Sequence, residues 1–357
     1  MTALAPSTLD ALVDAVTRTA PRPLQVVGGG STRPRIGAAP PAVHRLDTTA
    51  LTGITAYDPA ECVVTVRAGT PVRHVAAALA AHGQYLPWDP PIGDGTSTIG
   101  GMVASGLNGP GRMRYGGVRD FIIGARVVDG RGRLITSGGQ VVKNAAGFLL
   151  HHALVGSAGR LGVIAEVSLK IFPAPETTTT LVASFTSLAD ALAAHERLRR
   201  DGLELDALDL AGPPLTLLAR LAGAAAAMPA RLDRARRALA VPADALTAAD
   251  AREAWTRHTL AFTAAAPLVK VPTTPSRIGA LVDACAADAS WHVSCGGAVV
   301  YLRPIASLAP LDATLARLDA RGVVVGGADT GRPVGRATPS AFGDRVRAAL
   351  DPDGRFC

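Results

Sequence analysis

Lysine is nearly missing from this 357-residue chain: of its 36 cationic side chains only Lys143, Lys170 and Lys270 are Lys, and the rest are Arg. The arginines are scattered and Phe, Trp and Tyr make up only 4 % of the sequence, so a net charge of +7 does not amount to the aromatic-interleaved basic stripe of a nucleic-acid surface. Cysteine is scarce too. Cys62, Cys285, Cys295 and Cys357 contain no C-x-x-C spacing, which excludes a readable zinc or iron–sulfur framework, and a chain this large has no need of disulfides. The dipeptide Gly-Lys never occurs, so there is no phosphate loop of the Walker type. No stretch supplies the ~18 uninterrupted apolar residues of a membrane span. The N-terminal Met-Thr-Ala-Leu-Ala-Pro lacks a basic segment followed by an apolar one, so the expected location is cytoplasmic, with membrane attachment only through a partner.

What the chain has in abundance is glycine, unevenly placed: 18 of its 38 Gly fall between Gly93 and Gly162. Each Gly inside a regular element costs roughly 0.5–1 kcal/mol relative to Ala, so such density points to backbone that bends with positive φ or approaches a ligand closely. From Thr96 to Leu169 eight basic residues face three acids, a local excess of +5. The ligand expected there is an anion such as a pyrophosphate.

Length favours two domains. Ser7 followed by Leu9, Leu12, Val13 and Val16 predicts a capped helix, and Leu24–Val27 a strand feeding Gly28-Gly29-Gly30-Ser31-Thr32. Cys62–Arg67 reads as a strand, and Thr70, Pro71 and Gly83 bracket a helix over Val72–His82. Trp88–Gly117 reads as one long looped segment, of a kind that compact domains keep for function. Strands follow at Phe121–Asp129, Arg133–Thr136 and Gly162–Ile171. A boundary is expected at Phe172–Thr177, giving domains 1–173 and 174–357. The second alternates strand (Thr180–Phe185), helix (Ser187–Arg200), strand (Gly202–Leu210), a helical Ala/Arg-rich run to about His258, strand (Pro267–Val271), helix (Thr274–Ala287) and strand (His292–Arg303), and closes with a helix over Ser340–Leu350. That pattern predicts an α+β domain with an antiparallel sheet.

Gly28 and Gly30 satisfy the first two positions of G-x-G-x-x-G, but Arg33 stands at the third and Pro34 follows, which disfavours a nicotinamide fingerprint; a plain glycine turn remains open. Adjacent His151 and His152 face different ways on a strand or helix, so a structural role outweighs a shared metal. His258 and His292 have no carboxylate at ligand spacing and read as ordinary.

Taken together, Gly28–Thr32, Trp88-Asp-Pro-Pro91, Thr98-Ile-Gly-Gly-Met-Val-Ala104, Met113-Arg-Tyr-Gly116, Val118-Arg-Asp-Phe121, Gly124–Val128, Val142-Lys-Asn-Ala-Ala-Gly147 and Leu154–Ile164 resemble the PCMH-type FAD-binding domain of the vanillyl-alcohol oxidase superfamily. Within it, the Lys143-Asn-Ala-Ala-Gly-Phe148 and Val155-Gly-Ser157 blocks are most similar to the small FAD-binding subunits of bacterial glycolate oxidases. The resemblance covers residues 20–175 and, faintly, the tail Asp351-Pro-Asp-Gly-Arg-Phe356. It implies a two-subdomain FAD fold followed by an α+β cap. It also implies that Gly28, Gly29, Gly30, Ser31 and Thr32 hold the pyrophosphate, that Thr98, Ile99, Gly100, Gly101, Ala104 and Ser105 line pyrophosphate and isoalloxazine, and that Ile164 lies on the adenine side, with Pro91, Arg114 and Gly116 also against the cofactor. Val27 stands where many relatives have Arg, which leaves a phosphate contact to Arg33 or Arg114. Ser31 stands where covalent members have His, so FAD is expected to be noncovalent.

The implied function is that of an FAD-dependent oxidoreductase subunit acting on a 2-hydroxy acid such as glycolate. Its implied partners are a larger FAD-binding catalytic subunit and an iron–sulfur subunit that takes the electrons onward. The second domain lacks the His-x-Gly-Asp-Gly-Asn-like segment of catalytic members, so no catalytic residue is assigned. A stand-alone FAD-dependent alcohol or 2-hydroxy-acid oxidase, and a non-catalytic structural subunit retaining the fold, remain as alternatives.

Overall fold

The computed structural model describes residues 4–31, 43–90, 95–139, 149–260 (without the side chains of 258–260), 267–326, 329, 331–336 and 340–356. It divides into two compact units, Met1–Leu107 with Gly117–Ala174 and Thr338–Cys357, and Asn108–Gly116 with Pro175–Ala337.

The first unit opens with α1 (Leu9–Arg18), whose cap is Thr8 rather than Ser7: Thr8 Oγ1 accepts the Ala11 N–H at 3.1 Å. Strand β1 (Leu24–Val27) runs parallel to β2 (His44–Asp47). Next come β3 (Ile54–Asp58), β4 (Val63–Arg67), α2 (Val72–Ala80), β5 (Gln84–Tyr85) and α3 (Ile99–Ser105); α4 (Arg112–Tyr115) groups with the second unit. After α5 (Val118–Phe121), β6 (Ile122–Val128), β7 (Leu134–Gly138), α6 (Leu150–Leu154), β8 (Val163–Lys170) and β9 (Phe172–Pro173) complete the unit's central part. An antiparallel sheet in the order β3-β4-β8-β6-β7 makes one subdomain, and the β1–β2 pair with α1 the other. Leu12, Val16, Leu24, Leu46, Val128, Val163 and Phe356 fuse the two into one core.

Phe356 is there because the chain's end returns. The buried Arg355 donates to Gly130 O (2.6 Å), Val16 O (2.8 Å), Thr19 Oγ1 (3.0 Å) and Arg22 O (3.3 Å), while Asp351 accepts the N–H groups of Arg355 and Phe356. Four backbone or hydroxyl acceptors disperse the guanidinium charge that burial would otherwise leave unsolvated.

The second unit contains β10 (Thr177–Phe185), α7 (Leu188–Arg200), β11 (Ala207–Gly212), β12 (Leu215–Gly223), α8 (Met228–Leu239), β13 (Asp244–Ala245) and α9 (Ala248–Leu260). It continues with β14 (Leu268–Pro272), α10 (Ile278–Cys285), β15 (Ala289–Ser294), β16 (Val299–Pro304), α11 (Leu308–Arg317), β17 (Arg321–Gly326) and β18 (Pro333–Gly335), before α12 (Ala341–Leu350) rejoins the first unit. Among the described residues its strands form one antiparallel sheet ordered β13-β10-β12-β11-β15-β16-β14-β17-β18, the α+β architecture expected. Alternation sorts each strand. Leu208, Leu210, Val269, Val271, Val293, Val300 and Leu302 pack beneath Ala194 and Leu198 of α7 and Ile278 and Leu281 of α10, sending their neighbours to the opposite face.

The structure departs from the sequence reading at two places. Residues 215–223 form β12 rather than helix: Leu217, Ala219 and Leu221 face the helices, while Leu218 packs with Trp255 and Ala207, so apolar residues on both faces mask the two-residue period. His292–Arg303 is a hairpin, not one strand. Its turn, Cys295-Gly296-Gly297, runs entirely in left-handed backbone (φ 56°, 62° and 91°).

Candidate functional site

Two glycine-bearing segments, about 70 residues apart in sequence, meet in the first unit. At the end of β1, Val27 O accepts both the Thr48 N–H (2.8 Å) and Thr48 Oγ1 (3.1 Å), which anchors the turn Gly28–Ser31. That turn lies against residues 96–98 so closely that a Cβ on Gly29 would fall 1.5 Å from Thr96 O, and one on Gly28 2.6 Å from Thr98 Oγ1. Ser31 Oγ and Ser97 Oγ hydrogen-bond at 2.6 Å. Gly30 has φ +87°, a conformation that a side chain would strain.

Thr98 then caps α3 by accepting the Gly101 N–H at 3.2 Å. The helix is a short one inside the expected loop, and its glycines have different tasks. Gly100 N–H donates to Ala68 O at 2.8 Å, and a Cβ on Gly100 would meet Ala68 Cβ at 2.7 Å, so its bareness lets α3 close on the end of β4. Gly101 is different: a Cβ there would meet only Thr98 Oγ1, at 3.1 Å. Gly101, Ala104 and Ser105 stand at i, i+3 and i+4 and are half-buried, while Ile99, Gly100, Met102 and Val103 are buried, so α3 presents one open face bearing nothing larger than serine. The other end is pinned by the Leu154–Gly159 block: Gly156 N–H donates to Val103 O (3.0 Å) and Ala158 N–H to Ala104 O (2.8 Å). Such a face, beside a turn rich in backbone N–H groups, fits a flat ring joined to a phosphate chain.

Ile164 is buried in β8 opposite Val127, in this same unit. Arg114 and Gly116 belong to the second unit, where Arg114 donates to Glu204 O (2.9 Å) and Oε2 (3.2 Å), and Gly116 has φ +86°. Thr32, Arg33, Pro91 and the Val142–Gly147 block lie outside the described residues. The His151 ring is held by Ser137 Oγ at 3.0 Å and stacks edge-on against His152, a structural role; no group of metal-ligand type is found among the described residues.

The second unit holds a cluster that sequence reasoning missed. On the sheet face opposite the helices, buried Asp209 accepts from His292 Nε2 (2.8 Å), Ser294 Oγ (2.9 and 3.0 Å) and the Cys295 N–H (3.2 Å). Cross-strand register then sets His292 opposite Tyr301 and Tyr301 opposite Lys270. Burial, with Asp209 adding to it, pushes the Cys295 thiol up to about 12 and raises the Tyr301 phenol well above its usual value. Burial and then Arg112 lower the Lys270 ammonium. The 2.8 Å contact with Asp209 holds the His292 ring through Nε2. The available signal was polar residues alternating with Leu and Val on successive strands.

Residues 2–138 match the model of a family described as an FAD binding domain. Glycolate oxidase subunit GlcE of Escherichia coli is 44% identical over 156 residues, which are 44% of this chain and 44% of that protein. A D-lactate dehydrogenase of Archaeoglobus fulgidus is 35% identical over 125 residues, 35% of this chain and 28% of that one. Glycolate oxidase subunit GlcD of Bacillus subtilis is 35% identical over 131 residues, 37% of this chain and 28% of that one. The matched stretches thus span less than half the length of each of these relatives. Among solved structures, alkyldihydroxyacetonephosphate synthase superposes with a TM-score of 0.74 at 15% identity, over 98% of this chain and 75% of that one, which establishes the fold.

Proposed function

We propose that this chain, whose residues 2–138 belong to the FAD-binding domain family and mark it as a PCMH-type flavoprotein, is the FAD-binding subunit of an assembly that oxidises small 2-hydroxy acids such as glycolate. One observation supports the reading above others: the Gly28–Ser31 turn seated against Thr96–Thr98 beside the open Gly101–Ala104–Ser105 face of α3. FAD supplies the two-electron acceptor. The chain's part is to hold it noncovalently, with the amides of Gly28–Ser31 and Thr32 on the pyrophosphate, the stretch from Thr98 through Gly101 to Ser105 along pyrophosphate and ring, and Ile164 toward the adenine. Pro91 is the further contact proposed in this unit. Electrons then pass to an iron–sulfur subunit, and a larger FAD-binding subunit performs most of the substrate oxidation.

The purified chain should be yellow with a flavin spectrum, should reduce negligibly with glycolate under anaerobic conditions when alone, and should gain activity with subunits encoded beside it. Colourless protein that takes up no FAD would refute the reading. A second reading is a self-sufficient 2-hydroxy-acid oxidase, for which the buried Asp209–His292–Tyr301–Lys270 row is the polar cluster the second unit offers. Rapid anaerobic bleaching of the isolated flavin by glycolate or D-lactate, lost in Lys270→Ala, would establish that reading instead.

A further inference from the structure

The helix layer of the second unit contains a pocket of about 480 Å³, within the range of small-molecule sites, between α7 and the turn that leads into α10. Part of its wall is apolar: Leu192 on one side, Pro275 and Ile278 on the other. His195 also lines it, and this imidazole is only 1% exposed with a buried Nε2 that has no hydrogen-bond partner among the described residues. A buried polar nitrogen without a partner marks a place for a missing one.

Charge is gathered on the same helix. Arg199 holds the Glu196 carboxylate with Nε (2.7 Å) and Nη2 (2.8 Å), and Arg200 Nε contacts the same carboxylate. Two guanidiniums against one carboxylate leave a surplus of one positive charge, and all three residues line the pocket. Side chains one helical turn apart thus set a polar nitrogen and a cationic pair against one apolar cavity.

We propose that this pocket binds a small organic carboxylate: its anionic end on the Arg199–Arg200 pair, its apolar body between Leu192 and Ile278, and a polar group at its inner end on His195 Nε2. A phosphate monoester brings about two charges to a pair with one in surplus, so a monoanion is the better match. The apolar side chains favour an occupant with a hydrocarbon body over a compact ion such as sulfate. His195 also abuts the left-handed turn of the hairpin, since a Cβ on Gly297 would lie 3.3 Å from its Cε1, and Cys295 at the start of that turn donates to Asp209. An occupant resting on His195 is therefore separated by that one side chain from the turn that supports the polar row.

The proposal is independent of the flavin reading, because it concerns residues of the second unit and its test reads no flavin. The full chain, labelled at histidine, is titrated with 4-hydroxyphenylacetate while the His195 Cε1–Hε1 resonance is followed by NMR; loss of that signal in His195→Gln assigns it. A saturable shift is expected, at least about ten-fold weaker with uncharged 4-hydroxyphenylacetamide and in exposed Arg200→Glu, the loss of one charge-assisted contact. Phenylacetate, which lacks the inner hydroxyl, should bind more weakly and shift His195 less. An unchanged His195 resonance up to about 10 mM acid, a Kd in the non-specific range, would overturn the proposal, as would equal binding of acid and amide.

Discussion

Gly100 and Gly101 are neighbours on α3, yet a methyl group added to each should act through different physics. At Gly100 the new Cβ sits 2.7 Å from Ala68 Cβ and 3.1 Å from Ala68 O, and the Gly100 N–H is tied to that same oxygen, so α3 must be pushed off the end of β4. Overpacking of this kind costs about 1–3 kcal/mol, against about 1 kcal/mol gained from helix propensity. Gly100→Ala should therefore destabilise the apoprotein by up to about 2 kcal/mol, with flavin affinity following stability. At Gly101 the Cβ meets only Thr98 Oγ1 at 3.1 Å, so apo stability should hold or rise by up to about 1 kcal/mol. The cost appears when FAD binds, because the methyl occupies the open face. A loss of about 1–3 kcal/mol, roughly five- to 150-fold in Kd, is expected for Gly101→Ala, and Gly101→Val should purify folded and colourless. Urea unfolding of the apo forms and quenching of FAD fluorescence separate the two effects. Full FAD affinity in Gly101→Val would remove α3 from the flavin site, and an apo Gly100→Ala more stable than wild type would refute the packing argument.

Because Ser31 stands where the resemblance puts the attachment histidine of covalent members, acid precipitation should release all flavin into the supernatant; colour in the washed pellet would contradict this. Burial lowers the His195 imidazole to about 4, below its unfolded value near 6.5, so its contribution to stability is complete above pH ~6.5 and is lost as pH falls toward 4, by about 3 kcal/mol in all. Urea unfolding from pH 7 to 4.5 should show that slope in wild type and a shallower one in His195→Gln; equal slopes would disprove neutral burial. Arg355→Ala should lower stability by about 2–4 kcal/mol, since it removes the side-chain donors to Arg22 O and Gly130 O and one of the two to Val16 O, and a change within ±0.5 kcal/mol would show the anchor to be dispensable.

Local chemistry was legible wherever one residue type decides the outcome. Ser187 before α7, Pro71 and Gly83 around α2, and the Asp129-Gly130 turn between β6 and β7 are where the sequence implies them. Even there details shifted: Thr70 does not cap α2 but accepts the Gly53 N–H and donates to Arg67 O. Helix α3 was hidden because Gly100 and Gly101 are poor helix formers, and packing on Ala68 overrides that weak local preference. The meeting of Gly28–Ser31 with Thr96–Thr98 could be anticipated only from resemblance. Asp209 and His292, 83 residues apart, form a pair solely through the register of β11 on β15, which no local pattern announces.

The anchor made by Asp351, Arg355 and Phe356 sets a timetable for biosynthesis. Phe356 pairs with Leu24 and fills the core shared by α1 and β2, yet the whole second unit is translated between them. At 5–20 residues per second, those roughly 170 residues take about 9–35 s to make, during which the flavin-binding unit is open along one side of its core. The inserted unit, whose strands are contiguous apart from α4 and its flanks, can finish first. A ribosome stalled before residue 351 should therefore display a protease-resistant second unit joined to a protease-sensitive first one, with FAD uptake following only once residues 351–356 can reach the first unit.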